Sequence, residues 1–290
     1  MLKKILYLPV RLILIIAGFI FVVKLPSLLA FNSDKGRTQL HFADFAEKYG
    51  YAVKSFIDMD GIAELKIYFA GEGLDHYLYT MNILCVAILV VAIAGIVGAV
   101  VIMLLPRKVR KAFTGLVNFT ATAPELLIIF LLQYLVIYIY KTYHIKLFSL
   151  YGFFNSSPKF APIFIASFLP AIFYIQLILK EFLNEEQQEY VLFARSKGLP
   201  YRMIYLKHII RNITPFCFIH FRIAIWFLLT NIYVMEYLFS LKGFMLGGLF
   251  RFSDAGFLIG LLMFAIPILL ANGLGKVGTF LLNRKEKISL

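Results

Sequence analysis

Long uninterrupted apolar runs are the feature of this sequence that most constrains its fold. A membrane-spanning helix needs about 20 apolar residues, and six runs reach that length. They cover approximately residues 5–29, 80–105, 112–140, 160–179, 213–238 and 256–282. Strands of a membrane barrel would instead alternate in hydrophobicity over segments of about 10 residues. We therefore predict an all-α integral membrane protein with six transmembrane helices.

The composition excludes an ordinary soluble domain. Hydrophobic residues make up 61% of the chain and charged residues 16%, and the mean hydropathy is +0.83. Soluble domains have about 45–50% apolar and about 25% charged residues. Cys85 and Cys217 both fall inside apolar runs and indicate neither a disulfide scaffold nor a metal site. No good cleavage site follows the first run, so we predict that it is a retained helix.

The net charge of +13 is explained by membrane topology, with no need for nucleic-acid binding. With six spans, 15 of the 29 basic residues fall on the side that holds both termini, and 10 fall on the other side. Because cytoplasmic loops are enriched in Lys and Arg, we predict that both termini are cytoplasmic. The predicted regions are a first transmembrane helix (1–31), an extracytoplasmic connection (32–78) and a core of five transmembrane helices (79–290).

The predicted cytoplasmic loop 180–215, between helices four and five, is too polar to span a membrane. Asn184, with Gln187 three residues later, matches a helix-capping box. Acidic residues crowd the first turns and basic residues the last turn, which suits the helix dipole. Gly198 stands where a left-handed C-terminal cap belongs, and Pro200 suits the first residue of a second helix. The loop therefore predicts two helices joined by a tight elbow.

The two predicted helices suggest a docking element. Ala194 and Gly198 are four residues apart, so they share a face that another backbone can approach closely. The second helix carries Arg202, Lys207 and Arg211 around an apolar side formed by Met203, Ile204, Leu206, Ile209 and Ile210. An amphipathic helix resting on anionic lipid has the same pattern. The residues alone leave both interpretations open.

The loop resembles a known family. Glu189-Tyr190-Val191, the run from Ala194 to Leu199, Lys207-His208 and Arg211-Asn212 resemble the cytoplasmic EAA-type loop of ABC-transporter permeases, in the oligopeptide/dipeptide/nickel importer variant. The segment from Val234 to Gly243 resembles that family's segment after the fifth helix. The resemblance implies that the loop docks on a separate ATPase subunit. The implied coupling residues are Glu189, Tyr190, Ala194, Arg195, Lys197, Gly198, Leu199, His208, Arg211 and Asn212.

The resemblance also implies the assembly in which the chain works. Its expected partners are a second related permease, two ATP-binding subunits, an extracellular substrate-binding protein and the lipid bilayer of a bacterial cytoplasmic membrane. Its expected cargo is peptides or similar small solutes. The sequence contains no phosphate-binding G-x-x-x-x-G-K-[ST] loop, so we expect a transport subunit without enzymatic activity or cofactor. The alternative is an integral membrane enzyme or secondary transporter whose amphipathic loop rests on lipid.

Among the charged residues within or close to the predicted spans, three are candidates for a role in transport, because charge at membrane depth is costly and usually functional. Glu125 either lines a substrate path or satisfies backbone groups freed by Pro124. Arg222 either pairs with an acid on a partner helix or meets a substrate carboxylate. Glu236 lies near the outer end of the fifth span, where we expect it to be solvated. Together, Glu125, Arg222 and Glu236 are the candidate substrate-path residues.

Overall fold

The computed structural model describes residues 13–14, 16–32, 37–58, 60–144, 159–249, 252–253, 255–264 and 273. The chain divides into two compact units. The first contains the described residues up to Leu74 together with those of 247–263. Most of the second lies between Asp75 and Leu246.

Helices dominate the described part of the chain, with one antiparallel pair of short strands, β1 (Leu29–Asn32) and β2 (Arg37–Leu40). A π-helical segment, Ile204–Ile209, makes Tyr201–Leu238 one continuous helix. The helices in chain order are α1 (Ile16–Leu28), α2 (Phe42–Ile57), α3 (Asp60–Ala70), α4 (Gly73–Leu104), α5 (Arg107–Thr122), α6 (Glu125–Tyr143), α7 (Phe160–Glu185), α8 (Glu189–Ser196), α9 (Tyr201–Met203), α10 (Ile210–Leu238), α11 (Phe244–Gly247) and α12 (Ala255–Phe264).

In the first unit, aromatic side chains fasten α1 to α2. The rings of Phe21 and Phe45 meet edge to face with centroids 5.3 Å apart. The Tyr49 hydroxyl donates a hydrogen bond to the Ala17 carbonyl oxygen at 3.3 Å. Edge-to-face pairs add attraction between ring edge and ring face to the burial of apolar area. These contacts order α2 within the predicted extracytoplasmic connection 32–78, which also contains β2 and α3.

In the second unit, α7 and α10 form the centre of the packing. The buried Tyr174 hydroxyl donates to the Cys217 carbonyl oxygen at 2.9 Å, and the Asn231 side-chain amide donates to the Ala166 carbonyl oxygen at 3.3 Å. α4 packs against α7 at Gly95, where a Cβ atom would overlap the Tyr174 ring. The close approach of these helices therefore requires glycine at this position.

Four helices in the described part of the chain are long and apolar enough to span a membrane: α4, α6, α7 and Tyr201–Leu238. They confirm the predicted all-α membrane class. α1 and α12 are shorter apolar helices. The start of the first predicted run and most of the sixth run lie outside the described residues. The count of six spans and the location of the termini therefore stay predictions.

The third predicted span, 112–140, is wrong in one respect, because the chain breaks at Pro124. Ala123 has an extended backbone (ψ 145°), so α5 ends at Thr122 and α6 begins at Glu125. Proline lacks an N–H group and disfavours helical geometry in the residue before it. The span is therefore α6 alone. α5 is a separate amphipathic helix whose buried side is marked by Val117.

Candidate functional site in the loop between α7 and α10

The first helix of the loop, α8, begins later than the sequence predicts. Its N-cap is Gln188, which has an extended backbone, and its first residue is Glu189. Asn184 instead lies in the last turn of α7, where its side-chain amide donates to a Glu181 carboxyl oxygen at 3.3 Å. The prediction that Asn184 caps this helix is therefore wrong, because α7 continues through Glu185.

The elbow after α8 has the predicted left-handed cap at Gly198. Gly198 has φ +75°, and its N–H donates to the Arg195 carbonyl oxygen at 2.9 Å. The Leu199 N–H donates to the Ala194 carbonyl oxygen at 3.4 Å. These two bonds form a Schellman motif. A Cβ atom on Gly198 would meet nothing within 4 Å, so the backbone conformation rather than crowding within this chain requires glycine.

The second half of the loop is an extension of a spanning helix, not a separate element. Pro200 has an extended backbone and is the N-cap, so the helix begins at Tyr201, one residue later than predicted. The Met203 and Ile204 N–H groups donate to the Pro200 carbonyl oxygen at 2.9 and 3.2 Å. The helix then continues to Leu238 without a break. A displacement of the elbow would therefore act directly on a spanning helix.

The single apolar side predicted for this half of the loop is wrong. Ile204 and Ile209 are fully buried, whereas Met203 and Leu206 are exposed. The π-helical segment explains the difference: its hydrogen bonds join residues five apart, so Ile204 and Ile209 come onto one face. In an α-helix, residues three or four positions apart share a face, and the predicted apolar side assumed that spacing. The spacing does not apply within the π-helical segment.

A polar network centred on Glu186 holds α8 against its neighbours. One Glu186 carboxyl oxygen accepts hydrogen bonds from Arg195 at 3.0 Å and from the Tyr205 hydroxyl at 2.9 Å. The other lies 3.5 Å from an Arg110 guanidinium nitrogen, which also donates to the Tyr205 hydroxyl at 3.0 Å. The Arg195 guanidinium stacks over the Tyr201 ring, 4.7 Å from its centroid. Glu186, at the end of α7, thus connects α5, α8 and the start of the Tyr201–Leu238 helix.

Tyr190 ties α8 to both flanking helices. Its hydroxyl donates to a Glu185 carboxyl oxygen at 2.5 Å and also hydrogen-bonds the Asn212 side chain. Burial raises the pKa of Tyr190 well above its usual value, the bond to Glu185 raises it further, and the Asn212 bond lowers it. The hydroxyl therefore stays protonated at neutral pH and keeps donating to Glu185.

The other face of α8 presents apolar side chains outward. Leu192 is 54% exposed and Phe193 is 62% exposed, whereas Val191 and Ala194 are buried. The Lys197 ammonium lies over the Phe193 ring, 4.4 Å from its centroid. Because the buried face and the Glu186 network anchor α8, these side chains form a small apolar knob on a rigid base. We call Leu192, Phe193 and Lys197 the α8 knob.

The residues predicted to couple to an ATPase cluster on α8 and at the start of the Tyr201–Leu238 helix. Ala194 is buried and faces α8's own neighbours, so it cannot also form an outward docking face with Gly198. The partly buried members are Tyr190, Arg195, Leu199 and His208. The exposed members are Glu189, Lys197, Gly198, Arg211 and Asn212.

The three candidate path residues have different environments. Glu125 lies on α6, whereas Arg222 and Glu236 lie on α10, fourteen residues apart. Glu125 is the first residue of α6, and its Oε1 atom is buried without a hydrogen-bond partner among the described residues. Arg222 is exposed on α10. Glu236 is 1% exposed, so the expectation that it is solvated is wrong.

Glu236 is buried because its carboxyl group organises the chain that follows α10. The Thr80 hydroxyl donates to one of its oxygens at 2.5 Å, and the Leu246 N–H donates to the other at 2.9 Å. The Phe244 N–H in turn donates to the Thr80 hydroxyl at 2.8 Å. Glu236 and Thr80 thus fasten the start of α11 to α4 and α10.

Sequence reasoning missed Glu186, Arg110, Tyr205 and Thr80 as members of these two networks. In the sequence, Glu186 is one of several acids near a predicted helix start, and Arg110 is one of several basic residues in a predicted cytoplasmic loop. Nothing in the immediate sequence distinguishes either residue from its neighbours. Thr80 had no sequence signal, because its partner Glu236 lies 156 positions further along the chain. A pairing of Glu186 with Arg195, nine positions apart, was the one accessible signal.

Similarity to a known protein family covers the loop and most of the helices described above. No curated protein matches the chain. The family model described as "Binding-protein-dependent transport system inner membrane component" matches residues 91–285, about two thirds of the chain. The match covers α5 to α12, including the elbow at Gly198 and the network around Glu186. The chain therefore belongs to the family of binding-protein-dependent transport system inner membrane components, and is a multi-pass membrane permease component of ABC transport.

Proposed function

We propose that this chain is the permease subunit of an ATP-driven importer for peptides or similar small solutes. In this proposal it forms the translocation path together with a second related permease. Two ATP-binding subunits bind on the cytoplasmic side, and an extracellular substrate-binding protein delivers the solute. Family membership supports the permease role. The resemblance of residues 189–212 and 234–243 to oligopeptide/dipeptide/nickel importers supports the solute class.

The observation that carries the docking proposal is the α8 knob. Exposed Leu192 and Phe193 project from a two-turn helix that is anchored on its other face. An exposed aromatic side chain on a rigid support is suited to anchor a contact with a protein partner, since aromatic residues are enriched among the residues that dominate such contacts. The ATPase subunit is the partner that supplies energy to a permease lacking its own nucleotide-binding loop.

The same geometry supports a route for coupling. Force applied to α8 reaches Arg195, then Glu186 at the end of α7, and then Arg110 and Tyr205. Tyr205 belongs to the continuous helix that ends at Leu238. We therefore propose that the Glu186 network transmits ATPase movements to α7 and α10. Glu125 and Arg222 remain our proposed path residues, while Glu236 acts on the path by holding α11 in place.

The test is a matched pair of substitutions at Gly198. Gly198→Leu forces a bulky residue into the left-handed conformation, which costs about 1–2 kcal/mol per residue. Gly198→Asn changes size and polarity, but asparagine adopts this conformation more readily. Tagged protein purified in a mild detergent should retain its ATPase subunit in wild type and Gly198→Asn, and lose most of it in Gly198→Leu.

Two outcomes would contradict the proposal. Wild-type retention and wild-type transport per ATP in Gly198→Leu would show that the elbow geometry is unimportant for coupling. If even the wild-type chain never retains an ATPase subunit, an enzyme or secondary transporter with a lipid-resting loop becomes the better assignment. Membrane insertion should be equal in the wild type and both variants, and the yield of protein extracted from the membrane measures it.

A further inference from the structure

A basic pocket lies where α4 leaves the membrane-spanning region. It has a volume of about 180 Å³ and lies among the end of α4, the start of α5 and the start of the Tyr201–Leu238 helix. Arg107, Arg110 and Arg202 line it, and none of the described residues in its lining is acidic. Tyr201 and Tyr205 line it as well, and tyrosine is enriched at membrane–water interfaces. The pocket therefore has the charge and position of a site for an anion at the membrane surface.

Two of the three arginines are available to such an anion. Arg110 already interacts with Glu186 and Tyr205. Arg107 and Arg202 are exposed, and within the described part of the chain neither has an ion-pair partner. The first turns of α5 and α9 contain no acid that would offset them. Guanidinium groups bind phosphate oxygens through paired hydrogen bonds, so a phosphate group fits this pair.

An apolar groove lies further into the same helices. It has a volume of about 350 Å³ between α4, α7 and α10, and is lined by aliphatic and aromatic side chains such as Ile96, Val100, Phe182 and Phe218. Two hydroxyls that reach it are already satisfied. Thr214 donates to the Ile210 carbonyl oxygen at 2.6 Å, and Tyr174 donates to that of Cys217. Both hydroxyl protons are thus already used, and the other described lining residues are aliphatic, aromatic or cysteine, so the groove suits a hydrocarbon chain better than a polar solute.

The pocket and the groove are neighbours along the same helices. Val100 lines the groove and Leu104 lines the pocket, one helical turn apart on the same face of α4. Phe182 of the groove and Tyr205 of the pocket are in ring contact, with centroids 6.5 Å apart. A ligand with an anionic head and an apolar tail would therefore extend from one into the other.

We propose that this chain binds an anionic phospholipid at this place. Its phosphate lies between Arg107 and Arg202 beside Tyr201, and one acyl chain lies in the groove lined by Ile96 and Phe182. The bilayer supplies this ligand at high local concentration, and basic pockets between transmembrane helices bind anionic headgroups. None of the three residues of the α8 knob lines the pocket, so the lipid and the ATPase subunit use different side chains.

The test measures lipid binding to the full-length chain by native mass spectrometry from detergent. The probes are palmitoyl-oleoyl phosphatidylglycerol, phosphatidylcholine with the same acyl chains, and inorganic phosphate. We expect retention of phosphatidylglycerol over phosphatidylcholine. Each arginine near an anionic surface changes binding about fivefold, so Arg107→Gln with Arg202→Gln should weaken phosphatidylglycerol binding about 25-fold. Lysine at both positions keeps the charge but not the paired hydrogen bonds, so it should restore only part of the binding.

The matched control is Lys108→Gln with Lys111→Gln, which removes the same charge from α5 outside the pocket lining. It should bind phosphatidylglycerol like wild type. Ile96→Trp, which leaves the arginines intact, should weaken binding several-fold by filling the groove. The proposal is overturned by equal binding of both lipids, by equal loss in the lysine control, or by unchanged binding in Ile96→Trp. Competition by inorganic phosphate, or loss of the lipid when ATPase and partner permease assemble, would equally overturn it.

Discussion

Replacing Glu186 by glutamine should loosen α8 while leaving the spanning helices intact. Glu186 is 15% exposed at its side chain, and its partners Arg110 and Arg195 are 17% and 29% exposed. Hydrogen bonds to charged groups in such partly buried settings contribute about 1.5–3 kcal/mol. Glutamine keeps the size and one acceptor oxygen but leaves two guanidinium groups without an anion. We therefore expect the free energy of local opening of α8 to fall by about 2 kcal/mol.

Hydrogen exchange of backbone amides measures this local opening directly. A loss of about 2 kcal/mol corresponds to about 30-fold faster exchange, because each 1.4 kcal/mol is a factor of ten. The increase should be confined to amides of α8 and the elbow at Gly198, with the buried middle of α7 unchanged. Glu189→Gln is the control, because Glu189 is an exposed acid of α8 with no ion pair in the described structure.

A double-mutant cycle with Arg110→Gln separates the network from a general effect of charge. Because Glu186 and Arg110 share the contact, the two substitutions should be non-additive by about 0.5–3 kcal/mol. Additivity within about 0.5 kcal/mol would refute the reasoning, as would exchange in Glu186→Gln within twofold of wild type. Either result would mean that α8 is held by its other contacts, the packing of Val191 and Ala194 and the Tyr190–Glu185 hydrogen bond, and not by the Glu186 network.

Two further predictions concern the second network and the docking surface. Thr80→Val should lower the thermal unfolding temperature, because it leaves one Glu236 carboxyl oxygen and the Phe244 N–H without the hydroxyl that they share, at about 1–3 kcal/mol each. Thr80→Ser keeps the hydroxyl and should unfold near the wild-type temperature; equal unfolding of Thr80→Val would contradict the network. Phe193→Ala should leave stability unchanged, since Phe193 is 62% exposed, but should reduce the ATPase subunit that co-purifies. Full retention of the ATPase by Phe193→Ala would exclude the α8 knob from docking.

The spans and the elbow could be predicted from sequence because their causes are local. A membrane helix follows from a long apolar run, and the left-handed cap at Gly198 follows from one residue type at a helix end. Pro124 was visible in the sequence, but whether a membrane proline kinks or ends a helix depends on packing around it. At Ala123 the chain turns extended and the helix ends.

The helix cap at Asn184 and the apolar side of the second loop helix were wrong for a related reason. Asn184 has the local signal of a cap, but α7 continues past it to Glu185, whose carboxyl group accepts the Tyr190 hydrogen bond. Tyr205 has an ordinary helical sequence context, and its burial results from the π-helical segment and from Glu186 and Arg110. Local propensity is a weak preference that tertiary contacts override.

The sequence by itself determined that this chain enters a membrane as helices and that its loop 180–215 contains a tight elbow at Gly198. Both depend on hydrophobicity and backbone preferences that act over a few residues. Only the tertiary structure decided that Glu186 joins three helices, that Glu236 is buried against Thr80, and that Arg107 and Arg202 share a pocket. These groups are far apart in sequence, and a polar group's role depends on which partners folding places within hydrogen-bond distance.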